Sequence, residues 1–271
     1  MYLCDLTIRD VGADDQALSE AHGLATRLAR NGQVVGEYVV GRVERDLRLS
    51  CVLPLPDSLN PRHHSRYVRE SLAELERRSG HRVVIKVNAD PAGSMPHHLE
   101  DPAAAAFLVL RTSYNSVVSP LWDPLSDLHL PLYLVPIAAD ERERVFFWER
   151  SYKRLDGIWF GAPSLEVESY LQMAAASSPL MVQGRRHAAV VEDALSLPTY
   201  TWIVRHYGAP ERDEERACPS CGAAWRVSAD SEQSRAVSFR CEPCRLVSHS
   251  AYCTDAEDWA RYYPDLAQPE E

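Results

Sequence analysis

An α+β chain closed by a small metal-dependent ribbon is what this sequence predicts, and three observations carry the prediction. The first 88 residues alternate strand-like and helix-like patterns in the order βαββαβ. The segment after them mixes short apolar runs with longer helical periods. Near the end, Cys218-Pro-Ser-Cys221 and Cys241-Glu-Pro-Cys244 place two C-x-x-C pairs with nineteen residues between them. At 271 residues and 45% hydrophobic composition, the chain can bury one substantial core or two smaller ones beside such a ribbon.

In order, Tyr2 to Ile8 alternates like a strand, and Asp14-Asp15 offers an N-cap for a helix through Arg30, with Leu18, Ala21, Ala25 and Leu28 as its apolar stripe. Asn31-Gly32 stops it. Val34 to Val40 and Leu47 to Leu55 read as strands, the second ended by Pro54-Leu-Pro56-Asp57. Pro61 is placed to open a helix to Ser79, with Val68, Leu72 and Leu75 inward and Gly80 at its end, and Arg82 to Val87 is a further β-rich run. This order matches a ferredoxin-like, split-βαβ region. That architecture hosts many functions and names none.

The extension over 89–210 is less regular. Ala89 to Pro102 is a polar loop, where His97, His98, Glu100 and Asp101 are candidates for metal or acid/base work against the plainer reading of a solvated connection. Ala105 to Arg111 and Leu130 to Val135 read as buried strands. Between them lies a Pro-punctuated loop, Ser119 to His129, with Asp123, Asp127 and His129 as candidate pocket polars. Asp140 to Arg154 reads as a helix in which Arg142, Arg144, Arg150, Lys153 and Arg154 interleave with aromatics, a pattern able to meet phosphates and stack bases. Glu141, Glu143 and Glu149 offset part of that charge. Gly157 and Gly161 break the chain, Ser164 to Ala176 is a helix, and Ser178-Pro179 starts another to Leu195 with Arg185-Arg186-His187 exposed. Pro198 to Tyr207 is a strand leading to an exposed acidic junction, Glu211 to Glu215. The expected division is an α/β body over 1–210, a ribbon over 211–253 and an acidic tail over 254–271.

Each C-x-x-C pair supplies two sulfurs from one tight loop, and the chain between them returns as a hairpin, with Trp225-Arg-Val227 and Val237-Ser-Phe239 as strands and Ala229 to Ser234 as the turn. Gly222 fits a positive φ after the first pair, whereas Arg245 holds the equivalent place in the second. Paired disulfides fit poorly, because the start Met-Tyr-Leu-Cys-Asp has no secretory pattern and the cysteines form no framework. Rubredoxin-type iron and a redox C-x-x-C are also compatible with the spacing. Zn²⁺ is the expected ion: four sulfurs close its sphere, leave no position for substrate, and make the site structural. His249 and Cys253 lie close enough in sequence to replace a ligand. Cys4 and Cys51, in strand-like runs, read as buried apolar thiols.

A net charge of −10 argues against a polyanion partner met by the overall field. Over 216–248 the arginines outnumber the acids by two, and four thiolates around Zn²⁺ carry two net negative charges, so the ribbon is about neutral. No apolar run is long enough to span a membrane, and a cytoplasmic location is expected. Walker, zincin, nucleophile-elbow and dinucleotide glycine motifs are absent.

Leu197-Pro-Thr-Tyr-Thr-Trp-Ile-Val-Arg-His-Tyr-Gly208, the Cys218-Pro-Ser-Cys-Gly-Ala-Ala-Trp225 loop and Phe239-Arg-Cys-Glu-Pro-Cys-Arg-Leu-Val-Ser248 resemble an uncharacterised bacterial family of zinc-ribbon-containing proteins for which nucleic-acid binding has been suggested. The resemblance covers residues 195–250 and implies metal ligands at Cys218, Cys221, Cys241 and Cys244. It implies no catalytic residue. The function expected is therefore a non-catalytic binding or adaptor protein with a macromolecular, chiefly protein, partner. Two further functions stand beside it: nucleic-acid binding through the helix over 140–154 with Arg226, Arg240 and Arg245, and an enzyme or enzyme subunit with its pocket in the α/β body.

Overall fold

The computed structural model describes residues 1–88, 97–205, 217–228 and 236–249. The acidic junction, the hairpin turn over 229–234, Cys253 and the tail lie outside these residues. The chain divides into two compact units. One comprises 1–104, 116–121 and 127–147; the other comprises 105–115, 122–126 and 148 onward.

In the first unit, β1 (Tyr2–Ile8) turns Cys4, Leu6 and Ile8 inward by simple alternation. Helix α1 (Asp15–Arg30) starts where Asp14 accepts hydrogen bonds from the N–H groups of Gln16 and Ala17 at 2.9 and 3.1 Å. Its buried stripe is Ala17, Ala21, Leu24, Ala25 and Leu28, with Leu18 at the margin. Gly32 follows at φ +76°, and a Cβ there would stand 2.6 Å from the Leu132 Cβ. Strand β2 (Val35–Val43) runs further than the predicted Val34 to Val40 because the hairpin reverses at Glu44, φ +56°. Strand β3 (Asp46–Leu53) then pairs with β1 in antiparallel register, Cys4 opposite Cys51 and Leu6 opposite Leu49.

The helix predicted from Pro61 starts later. Pro61–His63 is one tight turn capped by Asn60, His64 is extended, and Ser65 caps α2 (Arg66–Ser79) by accepting from the Val68 N–H at 3.3 Å. Gly80, at φ +70°, ends it. Strand β4 (Val84–Asn88) completes a four-stranded sheet of order β2-β3-β1-β4, antiparallel at every junction. Both helices lie on one core, in which Leu6, Leu24, Leu47, Leu49 and Leu75 are fully buried and each contributes about 2 kcal/mol by leaving water.

Beyond β4 come β5 (Leu108–Leu110), β6 (Leu121–Asp123) and β7 (Leu128–Leu130). The loop predicted over 119–129 thus contains strand, with its reversal ending at Asp127, φ +58°. The strand predicted over 130–135 is instead a tight turn, Leu132–Leu134, which Pro131 imposes by fixing φ and lacking an N–H.

Helix α3 (Ala139–Gly161) continues through Gly157, where a break was expected. Burial of Trp148 and Tyr152, and the Asp156 carboxylate accepting the Tyr114 N–H at 2.6 Å, offset the roughly 1 kcal/mol cost of a helical glycine. Helix α4 (Glu166–Ala174) begins after a turn at Pro163–Leu165, later than predicted. Helix α5 (Pro179–Leu195) begins as predicted, its Ser178 cap accepting from the Met181 N–H at 3.1 Å. Strand β8 (Thr199–Trp202) is buried throughout. It is followed by β9 (Phe239–Cys241) and β10 (Leu246–Ser248). The strands of the second unit run β6-β5-β8-β10-β9, with β8 parallel to both β5 and β10 and β10 antiparallel to β9. Gly184 lets α5 approach closely, since a Cβ there would meet Thr201 at 3.0 Å and Trp148 at 3.1 Å.

Candidate metal centre

The four cysteines of the two C-x-x-C pairs converge. Their sulfurs all lie within 4.8 Å of one another, and those of Cys221 and Cys241 are 3.6 Å apart. A tetrahedral Zn²⁺ with Zn–S of about 2.3 Å requires sulfurs about 3.8 Å apart, so the donor set fits that ion. The cysteines are free, and 3.6 Å far exceeds a disulfide bond of about 2.05 Å.

Local structure explains the convergence. In the first loop the Gly222 N–H donates to Cys218 O at 2.9 Å and the Cys218 N–H to Ala223 O at 2.8 Å, a tight reversal that needs Gly222 at φ +73°. The second loop makes the same kind of reversal with Arg245 at φ +51°. There the side chain is held by Glu242 at 2.8 Å and Glu192 at 2.6 Å, which offsets the steric cost glycine avoids. The predicted hairpin pairs at Arg226 with Phe239, the Arg240 N–H donating to Trp225 O at 2.6 Å and the Val227 N–H to Ser238 O at 2.9 Å. Its second strand is shifted toward Cys241, and its first is reduced to that single bridge.

Cys218, Cys241, Trp225 and Phe239 pack with Met181 and Ile203 in one apolar cluster, so the sulfur site has a hydrophobic footing in its own unit. The Cys221 thiol is lowered to about 7, first by the backbone N–H of Ala223 and then by the neighbouring thiols. Burial raises Cys241 and Cys244. A cation inserted among the sulfurs would draw off all four protons.

The remaining predicted residues disperse. His249 packs its ring edge-on to Trp202 at 4.7 Å and is not among the clustered donors. Arg142 is turned inward, donating to Asn31 Oδ1 at 2.8 Å, Ile137 O at 2.6 Å and Val135 O at 3.2 Å. Arg144 pairs with Glu141, Lys153 with Glu149 at 2.6 Å, and Arg240 with Glu242 at 2.7 Å. Arg150 and Arg154 are exposed, and Arg226 lies over the Phe239 ring at 5.4 Å. His98 is buried, while Asp101 caps the Ala103 N–H at 2.9 Å. Asp123 accepts from the Leu125 N–H at 3.1 Å and from Ser126 at 2.6 Å, and His129 Nδ1 donates to Ser119 O at 2.6 Å. Cys4 and Cys51 are buried as expected.

Sequence reasoning missed Arg111, whose guanidinium lies 4.7 Å from the Trp122 ring centre and 4.4 Å from that of Trp202. A charged residue closing an apolar run was its only signal. Arg185, predicted on an exposed face, instead reaches Ala176 O at 2.9 Å and Ser220 Oγ at 3.3 Å.

Fold and site together define an α+β protein with a C-terminal four-cysteine cluster fit to hold a metal ion. Three family models, each described as a domain of unknown function, match it in succession: DUF8589 over residues 1–88, DUF2310 over 102–204 and DUF8594 over 208–254. The first ends at the last residue of β4. An uncharacterized protein of Haemophilus influenzae is 25% identical over 262 residues, covering 93% of this chain and 99% of its own length. A second uncharacterized protein of that organism is 28% identical over 149 residues, 54% of this chain and 72% of its own length. No solved structure matches. Among the described residues, no helix is long and apolar enough to cross a membrane.

Proposed function

We propose that this is a non-catalytic binding or adaptor protein whose C-terminal part is a zinc ribbon, rigidified by one Zn²⁺ on Cys218, Cys221, Cys241 and Cys244 and engaging another macromolecule, in the first place a protein. The observation that carries the reading is the set of four sulfurs within 4.8 Å of one another, a donor set that closes the ion's sphere and leaves no open position. The ion supplies folding free energy, on the order of 10 kcal/mol in small zinc modules, and the surrounding loops supply the surface. The stretch over 1–88 is taken as ferredoxin-like, which the antiparallel order β2-β3-β1-β4 supports.

A nucleic-acid partner has weaker support, because Arg144, Lys153, Arg240 and Arg245 each sit against a carboxylate. Metal analysis of the purified chain is expected to give one zinc per molecule, and Cys241→Ser to abolish it. A variant that keeps full metal refutes the site. A partner that co-elutes with the wild type in size-exclusion chromatography should be lost from the metal-free variant, and unchanged assembly refutes the adaptor role.

A further inference from the structure

One of the four clustered cysteines is open to solvent. Cys221 is exposed, whereas Cys218 and Cys241 are only 3% and 2% exposed and Cys244 is half-buried. We propose that the site is a redox-responsive clasp: a hydroperoxide, of which hydrogen peroxide is the simplest, oxidises Cys221 and Cys241 to a disulfide and so releases the bound ion. This rests on the zinc reading above and adds a regulation to that same site.

Three observations carry the inference. Cys221 is exposed beside Gly222, where even an added Cβ would meet nothing within 4 Å, so the approach from solvent is open. The Cys241 sulfur stands 3.6 Å from that of Cys221, near enough to capture it once oxidised yet well beyond bonding distance. Cys241 itself is enclosed with Trp225, Phe239, Met181 and Ile203, which keeps an oxidant from it and leaves Cys221 as the first point of attack.

A bound ion holds the four sulfurs as thiolates, the nucleophilic form of cysteine. In the first step the Cys221 thiolate attacks one peroxide oxygen: an S–O bond forms, the O–O bond breaks, and the departing hydroxide takes a proton to become water. In the second, the Cys241 thiolate attacks the Cys221 sulfur: an S–S bond forms, the S–O bond breaks, and the leaving hydroxide is protonated to a second water. Two electrons have then passed from the pair of thiolates to the peroxide. Cys218 and Cys244 remain as two donors, too few for a four-coordinate structural site, and each takes up a proton as the ion is released. A dithiol reverses the oxidation by thiol–disulfide exchange and itself ends as a disulfide.

Hydrogen peroxide added to the zinc-loaded full chain tests the inference, with zinc release followed by the absorbance of its pyridylazoresorcinol complex and linkages mapped by mass spectrometry of a non-reducing digest. Loss of the bound zinc is expected, together with a disulfide between Cys221 and Cys241 that dithiothreitol removes, after which added zinc rebinds. Limiting N-ethylmaleimide on the zinc-loaded chain should label Cys221 ahead of Cys218, Cys241 and Cys244, a readout that needs no variant to fold. Zinc retained under excess peroxide, release without a disulfide between Cys221 and Cys241, or first labelling at another of the four overturns the inference and leaves the metal reading standing. A chain purified without zinc removes both.

Discussion

His98 sets a measurable acid limit on the first unit. Its ring is 4% exposed, and neither ring nitrogen finds a hydrogen-bond partner among the described residues. It is held in the bridge to His129, where the Leu99 N–H donates to His129 O at 2.8 Å and the His129 N–H to His97 O at 2.9 Å. Burial, and then the neighbouring His129, push its pKa down to about 3 from 6.5. The folded chain therefore keeps this ring neutral while the unfolded chain protonates it, so stability is fully present above pH 6.5 and falls as pH drops from there toward 3. Between pH 7 and 5 the loss is about 2 kcal/mol. His64, also lowered by burial, acts in the same direction, whereas Glu149 and Asp156, both raised by burial, act in the opposite one. The comparison that isolates His98 is consequently wild type against His98→Phe, with urea unfolding followed by far-UV circular dichroism at both pH values. The variant should lose about 2 kcal/mol less than wild type over that interval. Equal losses in the two proteins would falsify the assignment of a neutral, buried ring.

Close backbone approaches give two further outcomes. Gly184→Ala should destabilise the second unit by about 1–3 kcal/mol, because the new methyl meets Thr201 at 3.0 Å and Trp148 at 3.1 Å; an unchanged melting temperature would contradict the tight packing of α5 on β8. Gly32→Ala combines a left-handed backbone at φ +76° with a Cβ contact of 2.6 Å to Leu132, so a loss above about 1 kcal/mol is expected in urea unfolding, and a neutral substitution would contradict the turn geometry.

Legibility followed how local the determining physics was. Asp14 and Ser178 announced α1 and α5 because a cap is a short-range hydrogen bond between neighbours. The four sulfurs were readable from spacing alone, since each C-x-x-C loop shapes itself. Where the decision was tertiary, pattern failed. Gly157 reads as a helix end, yet the burial of Trp148 and Tyr152 carries α3 past it. Leu130 to Val135 is the exception, a local misreading: it reads as a strand although Pro131, visible in the sequence, turns it. Arg142 had the appearance of a surface cation, but its partners Asn31 and Ile137 lie far from it in sequence or in a turn that pattern did not foresee.

Strand β10 leaves the second cysteine loop and pairs with β8 in parallel register, Leu246 opposite Thr201. The sulfur cluster is therefore a clasp on the sheet's margin rather than a pendant. If an ion is bound by the proposed site, stripping it should fray that margin inward toward β8, so that chelation would be felt as faster amide exchange at Thr201 and Ile203, whose N–H groups donate to Arg245 O at 2.8 Å and Val247 O at 3.0 Å.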